Sequence, residues 1–120
     1  GGSGGGGGGN AYYDLQLGFA SSPDAGAADL FLVPRAVRIY DSDPGEVYVG
    51  TNPTSDPAVI DIEVNGTPVG SIEIEDDGTV TWDLTADIEL EAGDVLALVA
   101  PDPADATLAD VIVAFKGLAE

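Results

Sequence analysis

Asp41, Asp43 and Glu46 sit together in "DSDPGE", an all-oxygen set loosely spaced like a calcium loop. Oxygen donors suit hard cations, so an ion held there would be Ca²⁺ rather than a transition metal. The distal bidentate Glu of a helix-loop-helix calcium site does not follow. The preferred reading of these residues is an Asp-Pro-Gly turn. Asp102, Asp105 and Asp110 form another acidic group in "PDPADATLAD". There the Asp105 carboxylate is expected to hold the backbone N–H groups of the Ala106–Leu108 turn.

Paired carboxylates recur at Asp61/Glu63, Glu73/Glu75 and Asp76/Asp77. A glycosidase needs two carboxyls facing each other across a cleft, roughly 5–10 Å apart. Acids that alternate along a strand share one outward face instead. The chain has no Cys and no His, which removes the thiolate nucleophile, the usual general base and the commonest metal ligand. These absences predict a protein that is not an enzyme. They also predict no cofactor, unless the Asp41, Asp43, Glu46 turn takes Ca²⁺.

The 22 Asp and Glu face only Arg35, Arg38 and Lys116, for a net charge of −19. Such a surface repels phosphate and argues against nucleic acid as a partner. The longest apolar run, Val95 to Ala100, is too short for membrane insertion by a helix. Solubility, a salt-adapted source and cation binding each account for the acidity. No Met is present, so the chain reads as a piece of a longer or processed protein.

Strand-like alternation positions these groups. Tyr13, Leu15, Leu17 and Phe19 repeat with a period of two, as do Val47 and Val49, and Val111, Val113 and Phe115. Pro34 interrupts "LFLVPRAVRIY" and predicts a sheet edge or bulge there. Ile60, Ile62 and Val64 run into Asn65-Gly66, a strong hairpin signal, and Ile72 and Ile74 return. Val69 has the wrong parity, which predicts a bulge or wider turn between Gly66 and Gly70. Trp82 shares its phase with the core candidates Val80 and Leu84. Tyr48 is out of phase with Val47 and Val49, so Tyr48 and Tyr40 are the candidate contact residues. Val95 to Val99 reads as a strand buried on both faces. The pattern predicts an all-β fold: an antiparallel, jelly-roll-like β-sandwich of about eight strands. It forms one domain over residues 10–120, behind a polyglycine linker at 1–9.

"VPRAVRIY", "VGTNPTSDPAVIDIEVNGTPVGSIEI" and "LEAGDVLALVAPDPADATLADVIVAFKG" follow the glycine-rich lead into "NAYYDLQLGF". In that order they resemble the carboxy-terminal β-sandwich modules of tailed-bacteriophage tail and fibre proteins. Those modules carry a "VGT-PT" loop, an "NG…VGTI" hairpin, an "AGDVL" turn and a closing "P…DATLADI" strand. Here Asp43, Glu63, Glu73, Asp76 and Asp77 stand where neutral or basic residues are expected.

The resemblance implies a non-enzymatic structural or adhesion module of a virion, in a tail, fibre or spike. Its partners would be other virion subunits or a host surface glycan. It would form a homo-oligomer, such as a trimer, with Gly4, Gly5, Gly6, Gly7, Gly8 and Gly9 packed between copies. The alternatives are a capsid decoration or head-fibre domain, and a secreted calcium-dependent carbohydrate-binding or adhesion module of a marine bacterium.

Overall fold

A computed structural model describes residues 11–120. The packing expected of Gly4, Gly5, Gly6, Gly7, Gly8 and Gly9 lies outside the described residues. The strands are β1 (Leu15–Phe19), β2 (Ala28–Leu32), β3 (Val37–Ile39), β4 (Gly45–Thr51), β5 (Ala58–Val64) and β6 (Thr67–Ile74). They continue with β7 (Val80–Leu84), β8 (Ile88–Leu90), β9 (Val95–Val99), β10 (Ala109–Phe115) and β11 (Leu118–Ala119). No helix occurs among the described residues.

The strands form an antiparallel β-sandwich. A five-stranded sheet has the order β2-β9-β5-β6-β7, and a three-stranded sheet has the order β1-β10-β4. A short sheet, β11-β3-β8, completes the set. β1 pairs with β10, β2 with β9, β3 with β8, and β5 with β6. These antiparallel pairs nest inside one another along the chain, as in a long ribbon rolled into a jelly roll. The structure has eleven strands where the pattern predicts about eight; short strands such as β3 and β11 account for the difference. Pro34 lies between β2 and β3, splitting one apolar stretch into strands of different sheets, and β2 is an edge strand.

Period-two patterning becomes burial directly. Leu15, Leu17, Val113 and Phe115 face inward from one sheet, and Ile60, Ile62, Ile72 and Ile74 from the other. Trp82 is half-buried against this core, and its ring meets Phe115 edge-on at a centroid distance of 5.6 Å. In β9, Leu96 and Leu98 enter the core while Ala97, only 6% exposed, belongs to the opposite face.

The β5–β6 hairpin turns through Asn65 and Gly66, at φ 52° and 82°. Two successive positive φ values match the twist of a type I′ turn. Ile62 pairs with Gly70 and Glu63 with Pro68, leaving Val69 as the extra, bulged residue. Asn65 also ties the hairpin to its neighbour. Its Oδ1 accepts from the Val95 N–H at 2.9 Å, and its Nδ2 donates to Asp94 Oδ1 at 3.0 Å.

Candidate contact surfaces

Asp105 is the one buried charged side chain among the described residues. Its Oδ1 accepts from the Thr107 and Leu108 backbone N–H groups at 3.0 and 3.1 Å, and from the Thr107 hydroxyl at 2.7 Å. This is the turn-holding role its sequence context predicts. Its Oδ2 reaches a different loop, accepting from the Ser55 N–H and hydroxyl, both at 2.6 Å. The same oxygen accepts from the Thr54 N–H at 3.0 Å. Burial is the largest influence on this carboxyl and pushes its pKa up. The hydrogen bonds from Ser55, Thr107 and Leu108 together outweigh burial and hold it well below the usual carboxylate range. The two clamped loops border an acidic pocket of about 390 Å³, with Asp61 and Asp102 in its lining.

Asp41, Asp43 and Glu46 are not drawn round a common point. Among the described residues, no three His, Cys, Asp or Glu side chains form a group able to hold a metal ion. The Asp41 backbone N–H donates to Asp87 Oδ1 at 2.9 Å. Both Asp43 oxygens accept from Lys116 Nζ at 3.1 Å, so this carboxylate is already paired with a cationic side chain. Asp43 in turn raises the Lys116 pKa, through this hydrogen bond and then through its charge. Glu46 lies on β4 opposite Ala114 and is exposed.

Tyr40 is 40% exposed, and the Arg38 guanidinium stands 5.9 Å from its ring centroid. Arg38 is the centre of an ion-pair cluster. Its Nη2 lies 2.6 Å from Glu89 Oε1, and its Nε lies 3.1 Å from Glu120 Oε2. The hydrogen bond to Glu89, then the Glu120 charge, raise the Arg38 pKa. Tyr40 shares a small, mostly apolar pocket with Tyr12, Lys116 and Leu118. Tyr12 forms a bridge with Leu118, which brings the two ends of the described chain together.

Tyr48 is 60% exposed on the outer face of β4. It pairs across the ladder with Ile112, itself 42% exposed, and Ile112 pairs on its other side with Gly18. Tyr48 and Ile112 thus stand above a floor lowered by glycine. A groove of about 370 Å³ runs beside Ile112, lined also by Gln16, Phe19 and Asp29. The structure therefore sets Tyr40 and Tyr48 on different sheets' surroundings rather than in one aromatic platform. Ile112 was not marked by its residue type; only its pairing with Tyr48 reveals it.

No protein-family model matches this chain, and no curated protein matches it.

Proposed function

We propose that this chain is a non-enzymatic structural or adhesion module of a bacteriophage virion, borne on a tail, fibre or spike. In this role it contacts neighbouring subunits or a host surface glycan through its exposed aromatic residues. The observation that carries the reading is the Tyr48–Ile112 pair, an aromatic and an aliphatic side chain exposed side by side on the outer face of the jelly roll. Such a pair offers apolar area with a polar phenol tip, the composition favoured at protein interfaces. The ordered resemblance of the motifs to phage tail and fibre modules supports the same reading. The Asp43–Lys116 ion pair favours it over the calcium-dependent secreted module.

The test is immunogold labelling of purified virions with an antibody raised against residues 11–120. Label on the tail, fibre or spike supports the proposal. Label confined to the capsid selects the decoration or head-fibre alternative. Absence of label from particles, with the chain recovered in the surrounding medium, overturns both.

A further inference from the structure

The outer face of the five-stranded sheet is divided along its length. On β2 and β9 it carries Leu30, Leu32, Val95, Ala97 and Val99, with Leu30 64% and Leu32 68% exposed. On β5 the same face continues as Asp61 and Glu63, which pair with Val99 and Ala97 respectively. One transverse row therefore reads Leu30, Ala97, Glu63: exposed aliphatic, small floor residue, carboxylate. Further along the face, Asp61 leads through Ser71 to Asp83 on β6 and β7.

Leu30 and Leu32 are not core residues that merely lack shielding. Phe31 between them packs on the interior, so the strand's alternation requires both leucines to face outward. Two exposed leucines on one strand face, beside the apolar Val95 and Val99, form a contiguous apolar patch of the kind that marks an interaction surface. The adjoining carboxylates determine what covers it. An apolar contact alone would bury Asp61 and Glu63 without counter-charge, which is unfavourable. The occupant must bring cations to that flank.

A second copy packed through this same face does not. Its only cations are Arg35, Arg38 and Lys116, none of which lies on this sheet. Arg38 and Lys116 are also already paired with carboxylates. Two such faces brought together would oppose like charges.

We propose that the β2–β9–β5 face docks an amphipathic polypeptide segment whose apolar side covers Leu30, Leu32 and Ala97 and whose Lys or Arg flank meets Asp61 and Glu63. The dimensions suit a helix: three strands at about 4.8 Å spacing span about 10 Å, close to one helix diameter. This surface is separate from the Tyr48–Ile112 face, and the proposal does not depend on the virion reading.

Three designed helical peptides of equal length test it by fluorescence anisotropy. One carries a Leu face with a Lys flank, one a Leu face with a Glu flank, and one a Lys flank with Ser in place of Leu. The Leu/Lys peptide is expected to bind at least about tenfold more tightly than either control, a difference of about 1.4 kcal/mol. Leu30→Ser and Leu32→Ser should each weaken its binding severalfold. Asp61→Asn with Glu63→Gln should weaken it and flatten its salt dependence. Tyr48→Ser, on the opposite sheet, should leave it unchanged.

Failure of the Leu/Lys peptide to bind overturns the proposal. So does binding that survives the Leu30→Ser and Leu32→Ser changes, which would mark general attraction to an acidic protein. Self-association abolished by Leu30→Ser would overturn it in favour of a second copy. Because both leucines are exposed, unchanged thermal unfolding of the variants verifies that binding, not folding, is being read.

Discussion

The Asp105 carboxylate accepts both the backbone N–H and the hydroxyl of Ser55 at 2.6 Å, joining residues 50 positions apart. Its other oxygen is saturated by Thr107 and Leu108. Every close partner of this group is a donor. A carboxylate satisfies such an environment; an amide cannot, because one of its two ends is itself a donor.

Asp105→Asn should therefore destabilise the domain by about 3 kcal/mol, the range expected when several buried donors lose a charged acceptor. Ser55→Ala removes only the hydroxyl and should cost about 1 kcal/mol. Urea unfolding followed by Trp82 fluorescence measures both. Equal stability of Asp105→Asn and the parent would contradict the clamp.

The same group sets a pH window. Its folded pKa lies below the unfolded value of about 3.9, so its stabilisation is fully present above that value. As pH falls further toward the folded pKa, protons bind the unfolded chain first and the contribution is lost. The stability gap between the parent and Asp105→Asn should be constant above about pH 5 and shrink below about pH 4. A gap that instead closes between neutrality and pH 5 would assign the effect to another group.

Salt should stabilise this domain. The net charge of −19 makes repulsion among exposed carboxylates a general cost of compactness. Among the described residues, only a few ion pairs, around Arg38 and Lys116, stand to be weakened by screening. From about 0.01 M to about 1 M salt the screening length falls from about 30 Å to about 3 Å. The unfolding temperature should rise over that range with sodium chloride, and no divalent ion should be needed. A calcium-specific rise at constant ionic strength would restore the Asp41, Asp43, Glu46 site.

Gly18 permits the close approach of β1 to β10. A Cβ built there runs into the Val111 carbonyl oxygen, which is backbone and cannot swing aside. Gly18→Ala should cost about 1–3 kcal/mol, as overpacking does. Gln16→Ala, outward on the same strand, should be nearly neutral. Comparable denaturation midpoints for the two variants would show that the strands separate freely.

Much of this architecture was legible because its signals are local. Asn65-Gly66 specifies a positive-φ turn by residue type, and the parity of Val69 exposes the bulge before any partner strand is known. The inward phase of Trp82 follows from Val80 and Leu84 in the same way. What escaped depends on contacts between distant segments. Nothing in "NPTSDP" announces that Thr54 and Ser55 donate to Asp105, although the turn held by Asp105 is written in its own loop. Strands as short as β3 and β11 exist through their pairing, having too few residues to show a period. Leu30 and Leu32 illustrate the reverse difficulty: an apolar run does not reveal which of its residues meet water. The acids of "DSDPGE" are a composition signal, and Lys116, which pairs with Asp43, lies 73 positions from it.

The nested pairing of the strands also constrains the order of assembly. Joining β1 to β10 directly from the unfolded chain would close a loop spanning most of the domain. Once the β5–β6 hairpin has formed and β9 has docked on β5, each remaining pair closes only the short span left outside it. Loop-closure entropy thus favours zipping from the Asn65–Gly66 turn outward, with β1–β10 last. The transition state should be polarised toward that hairpin, with φ-values high at Ile60 and Ile72 and low at Leu17 and Val113.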